Sequence, residues 1–362
     1  MSAGYPNPMA TKTLGELLPG LMTRRELTRE MAEQVLNAML VPETPDAQIA
    51  AALALLAAKG EGPEELAGFA DALYERVVPV AIGSQVLDTA GTGASSVKTF
   101  NISTAASFVI AAAGCEIAKH GARASTSRSG SADVLAALGA RIDCSPATAE
   151  RCFRELKICF LFAPFYHPAL ARVAPVRRAL GFRTAFNLVG PLVNPCRAQY
   201  RLLGVSDEPR MADVAGALDL LGVAHAWVLR GDDGLDEITT AGPTRVLEVR
   251  EGHPVQSLTL TPAEFGIAEC PIESARAESV EENAATVRAV LAGQRRDAAR
   301  ELVVLNAAAA LHVRTGDGFR DCAARAQHVL DDGTALAKLE AFIALSQQSS
   351  ESCDEAAGTG AS

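Results

Sequence analysis

A change of rhythm near residue 83 constrains this chain most. From there the sequence alternates short apolar runs with helical periodicity. Before it, no strand signal occurs. Alternation of that kind predicts an α/β unit with a largely parallel sheet, and a strand-free stretch predicts a separate helical unit. The expected fold class is therefore α/β: a small all-helical domain plus a large α/β domain with a mostly parallel central sheet.

Within 13 to about 80, Leu27, Met31, Val35 and Met39 recur at helical spacing. Thr44-Pro45 predicts a second helix, with Thr44 as N-cap and Pro45 at the first helical position. Gly60 is its expected stop, and Pro63-Glu64-Glu65 opens a third helix with acidic residues at its positive end. Strands are expected at 84–89, 116–118, 141–143, 159–162, 199–205 and 226–229. Helices are expected at 104–113, 132–138 and 211–221. Four prolines (Pro168, Pro175, Pro191, Pro195) interrupt this pattern, and 168–200 is read as a helical return to the first region. The predicted organisation is 1–82 helical, with 1–12 disordered; 83–167 and 201–346 α/β; and 347–362 a disordered tail.

Composition narrows the function. A net charge of −10 argues against a broad nucleic-acid surface, so positive charge should be local. Eight cysteines form no CxxC pair and no zinc-spaced cluster, which fits reduced thiols in a cytoplasmic protein. The start of the chain lacks the pattern of a signal peptide, and no apolar run is long enough to span a membrane.

Three loops carry chemistry, each after an expected strand, where open α/β sheets hold ligands. The first runs from Asp88 to Thr104. Gly91 and Gly93 permit close backbone approach, and Asn101, Ser103 and Thr104 sit at a helix start. A glycine turn with an ordinary cap explains this loop alone about equally well. The second, Lys119 to Asp133, packs cations, hydroxyls and glycines before a helix and reads as an anion site. The third, Arg230 to Ile238, contains Asp236 and Glu237, hard oxygen ligands suited to Mg²⁺ shared with phosphate. Between them, His167 could equally be a core histidine, Arg177 and Arg178 could equally be a helix surface, and Gly190-Pro191 forms a constrained turn.

The ordered motifs GTG…TFNIST, KHG-x-R…SGSADVL, FAPFYHPAL, APVRRALGFRTAFNLVGPLVNP and GDDGLDEIT together resemble the anthranilate phosphoribosyltransferases, over roughly residues 12 to 346. The resemblance implies a type III phosphoribosyltransferase fold and a homodimer formed through the helical domain. It implies transfer of the phosphoribosyl group from phosphoribosyl diphosphate to anthranilate with release of diphosphate, in tryptophan biosynthesis. Carried over by position, Gly91, Thr92, Gly93, Thr99, Asn101, Ser103, Thr104, Lys119, Arg123 and Ser131 would bind the donor. His120, Ala122, His167, Arg177 and Gly190 would line the acceptor path, and Ser103, Asp236 and Glu237 would hold Mg²⁺. No nucleophilic residue is expected.

Two positions depart from the family pattern. Where the family loop reads GTGGDG, this chain has Gly91-Thr92-Gly93-Ala94-Ser95-Ser96, and Ala122 replaces the Asn of KHGNR. One neutral hydrogen bond is worth about 0.5–1.5 kcal/mol, so losing that Asn is compatible with anthranilate as acceptor. The alternatives are another aromatic acceptor, a nucleoside phosphorylase of the same fold, or a non-catalytic paralogue.

Overall fold

The computed structural model describes residues 12–93, 95, 97–124 and 129–348. The expected disorder of the N-terminus and tail concerns residues almost entirely outside this range, as do Ala94, Ser96 and 125–128.

The chain opens with four helices: α1 (Leu14–Met22), α2 (Arg29–Met39), α3 (Asp46–Lys59) and α4 (Pro63–Tyr74). Gly60 ends α3 with φ 85°, a left-handed conformation that glycine adopts without cost. Two local expectations are corrected. Pro45 rather than Thr44 occupies the N-cap of α3, and the Thr44 hydroxyl donates to the Ala38 carbonyl at 2.6 Å. Met31 is 42 % exposed, whereas Leu27, Val35 and Met39 are buried. Helical spacing thus found the stripe but not its width.

Seven strands follow: β1 (Leu87–Gly91), β2 (Ile117–Gly121), β3 (Ile158–Phe162), β4 (Tyr200–Gly204), β5 (His225–Gly231), β6 (Thr244–Arg250) and β7 (Gln256–Leu260). They form one sheet in the order β3-β2-β1-β4-β5-β6-β7. The first five pair in parallel, and β6 and β7 add antiparallel at one edge. Residues 141–143 form no strand. Ile142 is buried instead, and the Arg141 amide donates to the Ser346 hydroxyl at 3.0 Å, so this short segment is a packed bend before the next helix.

The connections are α5 (Ile102–Ala112), α6 (Ser131–Ala137), α7 (Pro146–Leu156), α8 (Ala163–Tyr166), α9 (Ala174–Leu180), α10 (Phe186–Val189) and α11 (Met211–Leu220). After the sheet come α12 (Val280–Leu291), α13 (Ala298–Thr315), α14 (Phe319–Asp331) and α15 (Thr334–Ser346). Strand alternation sends the two sheet faces into different cores. Leu202, Trp227 and Leu229 join the core under α5 and α13. Leu203, Val205, Ala226 and Val228 join that of the helical bundle, together with α9, α10 and α11.

Chain order reverses at β1, whose neighbours β2 and β4 lie on opposite sides. Loops leaving the carboxyl ends of β1 and β4 therefore diverge and leave a crevice.

Candidate active site

Gly91, Gly121 and Gly231 end β1, β2 and β5, so the three motif loops emerge at one edge of the sheet. Close packing requires glycine at two strand ends. A Cβ on Gly204 would come 1.7 Å from the Asp236 carbonyl oxygen, and one on Gly121 2.1 Å from the Ser131 hydroxyl.

These loops and the return segment enclose a cavity of about 740 Å³. It is lined by all the sequence-derived candidates (Gly91, Thr92, Gly93, Thr99, Asn101, Ser103, Lys119, His120, Ala122, Arg123, Ser131, His167, Arg177, Gly190, Asp236 and Glu237) except Thr104. Thr104 is buried in α5 and does not line this cavity, and its hydroxyl is buried without a hydrogen-bond partner among the described residues.

Lys119 is a buried strand residue. Its Nζ donates to the Thr89 carbonyl at 2.6 Å and to the Ser103 hydroxyl at 3.3 Å. The backbone N–H of Ser103, in the first turn of α5, donates to Glu237 Oε1 at 3.2 Å. Burial lowers the Lys119 pKa against the attraction of Asp88 and Glu237. Burial, reinforced by the Asp236 charge, pushes Glu237 up to about 8. Burial also raises Asp236, which the Gly93 backbone, Lys98 and Arg183 oppose. Two carboxylates are thus held together where each resists ionisation, which is the electrostatic condition of a cation site.

The second loop is organised by Asp133. Its carboxylate accepts the backbone N–H groups of Ala124 (2.8 Å) and Gly130 (3.0 Å), and pairs with Arg123 at 3.0 Å. Arg123 therefore reaches the cavity while anchored to α6.

On the return side, His120 and His167 meet edge to face at 5.3 Å. The His120 amide donates to buried Asp88 at 3.1 Å, and His167 Nε2 bonds the Val193 carbonyl at 2.8 Å. His120 Nε2 and His167 Nδ1 are buried without a hydrogen-bond partner among the described residues. Burial lowers both pKa values, so both rings are held neutral. Arg177 lies 5.0 Å over the Phe186 ring, and burial lowers its pKa.

The sequence motifs undersold some residues. Arg178, read as helix surface, lines the cavity with Lys98, Asn187 and Asn283. Asn283 accepts the Asn101 backbone N–H at 2.8 Å, a contact across 182 positions that no local pattern signals.

The helical-bundle domain of a glycosyl transferase family matches residues 15–77, and its a/b domain matches 83–336. Anthranilate phosphoribosyltransferase of Thermomicrobium roseum is 45% identical over 343 residues, covering 93% of this chain and 98% of the relative. That of Chloroflexus aggregans is 43% identical over 92% of this chain and 98% of the relative. The chain belongs to the anthranilate phosphoribosyltransferase family. Among solved structures, the Thermus thermophilus enzyme superposes with a TM-score of 0.85 at 37% identity, covering 92% of this chain and 99% of that one. The Saccharomyces cerevisiae enzyme in complex with PRPP and Mg does so at 0.85 and 26% identity, over 92% and 97%. Family membership accounts for the expected α/β fold with its helical domain and mostly parallel sheet.

Proposed function

We infer that this protein transfers the 5-phosphoribosyl group from phosphoribosyl diphosphate to the amine of anthranilate and releases diphosphate. The observation that carries this reading is Arg177. It lines the same cavity as the glycine loop and the Asp236–Glu237 pair, yet among the described residues its guanidinium makes no hydrogen bond or ion pair and only lies over the Phe186 ring. A half-buried guanidinium fork without a carboxylate suits an acceptor that brings one.

Breaking the bond from C1 to diphosphate builds positive charge on the ribose and negative charge on the leaving group. The loop after β1, Lys119 and Arg123 would hold the donor phosphates. The neutral His120 and His167 would orient the acceptor through their unpartnered nitrogens. Alignment of amine and C1, with electrostatic stabilisation, then supplies the catalysis and requires no covalent intermediate.

Mg²⁺ fits the residues present. Asp236, Glu237 and the Ser103 hydroxyl are hard oxygen donors. No group of three His, Cys, Asp or Glu gathers among the described residues. Two carboxylates completed by water and substrate phosphate are the usual Mg²⁺ arrangement. The ion would neutralise diphosphate charge.

The working units of this reading are 1–82 with the 168–200 return, and 83–167 with 201–346. A homodimer through the bundle would cover the exposed Met22, Met31 and Val41. No helix among the described residues is long and apolar enough to cross a membrane. The seven described cysteines are unpaired, which supports a reducing, cytoplasmic setting.

Loss of anthranilate fluorescence in the presence of phosphoribosyl diphosphate and Mg²⁺ tests the activity. Ala122 lines the cavity with a methyl group and no side-chain hydrogen-bonding group, which supports a second reading with another aromatic amine as acceptor. Turnover of other aromatic amines without turnover of anthranilate would replace the first reading with the second.

A further inference from the structure

Arg183 stands outside the cavity wall, in the segment that joins α9 to α10. Its guanidinium donates through Nη2 to the Thr92 carbonyl at 3.1 Å, and through Nη1 to the Gly93 carbonyl at 3.1 Å and the Ser206 hydroxyl at 3.3 Å. Ser206 completes the grip. Its hydroxyl donates to the Gly93 carbonyl at 2.7 Å, and its backbone N–H to the Thr92 hydroxyl at 3.2 Å. The Thr92 amide is itself committed to the Gly204 carbonyl at 2.9 Å. Every polar group of Thr92 and the carbonyl of Gly93 therefore have partners behind the loop.

We propose that Arg183 is a positioning residue for the phosphate donor, holding the glycine loop after β1 so that its opposite side faces the donor. The argument is geometric. A trans peptide directs its N–H away from its C=O, so fixing the Thr92 carbonyl on Arg183 aims the Gly93 N–H the other way. That N–H is directed at the Asp236 carboxylate, so the grip on the loop also sets how this cavity-lining carboxylate is placed. Gly93 itself has φ 65°, a left-handed conformation that favours glycine. Arg183 forms no ion pair with a carboxylate among the described residues, so its hydrogen bonds go to the loop. The planar fork holds two adjacent carbonyls in fixed directions, whereas an ammonium group carries its donors around a single atom on a flexible stem.

This inference rests on the phosphoribosyl-transfer reading for its activity readout, and donor binding provides a readout independent of turnover. The experiment compares wild type with Arg183→Ala, Arg183→Gln and Arg183→Lys. Donor affinity is measured by calorimetry with phosphoribosyl diphosphate and Mg²⁺, steady-state constants by anthranilate fluorescence, and stability by thermal melts. Loss of two hydrogen bonds from a charged donor should weaken donor binding in Arg183→Ala by about tenfold or more, with donor KM rising in parallel. Anthranilate KM at saturating donor should stay within about twofold, and Arg183→Lys should recover only part of the loss. Unchanged donor affinity in Arg183→Ala overturns the proposal. So does a fall in kcat and melting temperature with donor affinity intact, because the residue would then be structural only. If the wild type binds donor without consuming anthranilate, the acceptor reading fails while the calorimetry still decides the role of Arg183.

Discussion

Ser103 donates its backbone N–H to Glu237 Oε1 at 3.2 Å, so the first turn of α5 and the loop after β5 share one carboxylate. That bond does not require a charged acceptor. Glu237→Gln keeps an oxygen for it while removing a charge that burial and Asp236 oppose. Its melting temperature should therefore equal or exceed that of the wild type. Activity should fall about 10²–10³-fold, the scale seen when one preorganised electrostatic group is lost, and Asp236→Asn should behave likewise. Chelation of Mg²⁺ should abolish wild-type turnover. Full activity in both variants would remove these residues from the metal site.

Arg177 gives a prediction on the acceptor side. Replacing the fork by Lys or Gln removes a bidentate partner for a carboxylate, worth about 1.5–3 kcal/mol, or roughly 10–100-fold in affinity. The anthranilate KM should rise accordingly, and calorimetric donor affinity should not change. An unchanged anthranilate KM would show that the carboxylate is held elsewhere.

Where the sequence was legible, the reason was local. Gly60 and Pro63 announce a stop and a start through backbone constraints that act within one turn. The parallel strands read clearly because both of their faces are buried and their apolar runs are continuous. Strands β6 and β7 were missed for the converse reason. Gln256, Ser257 and Thr259 in β7 are exposed, so the edge carries little apolar signal. The candidate site was legible as motifs, but its supports were not. Arg183 touches Thr92 across 91 positions, and Asn283 touches Asn101 across 182, so neither contact leaves a periodicity. Thr104 closes the motif run, but its burial in α5 with an unpartnered hydroxyl leaves no pattern in the sequence.

The two cavity histidines predict how stability responds to acid. Burial lowers the folded-state pKa of His120 and His167 below the ordinary 6.5. Below about pH 6.5 the unfolded chain takes up protons that the folded protein refuses, so their contribution is complete above that pH and is lost as pH falls. The limit is about 1.4 kcal/mol per pH unit for each ring. Glu237 acts in the opposite sense, because its raised pKa lets the folded state bind a proton first from about pH 8 downward. The histidine effect is therefore read as a difference. Urea melts of wild type and His167→Asn at pH 7.5 and 5.5 should show a smaller acid loss in the variant. Equal losses would mean that His167 titrates normally in the folded protein.

Two glycines that meet Asp236 should respond differently to the same methyl group. A Cβ on Gly204 would lie 1.7 Å from the Asp236 carbonyl oxygen and 2.6 Å from its carbonyl carbon, so backbone must move. A Cβ on Gly91 would lie 3.1 Å from Asp236 Oδ2, the end of a side chain that can rotate. Gly204→Ala should therefore destabilise the fold by about 1–3 kcal/mol, the usual cost of overpacking, and should also lose activity as the Asp236–Glu237 loop shifts. Gly91→Ala should keep nearly the wild-type melting temperature. Its effect should appear as a higher Mg²⁺ requirement, because the methyl group displaces the carboxylate rather than the chain. Melting curves and Mg²⁺ titrations of activity on both variants separate the two. A normal Mg²⁺ requirement in Gly91→Ala would mean that the displaced carboxylate oxygen is not the one that meets the metal.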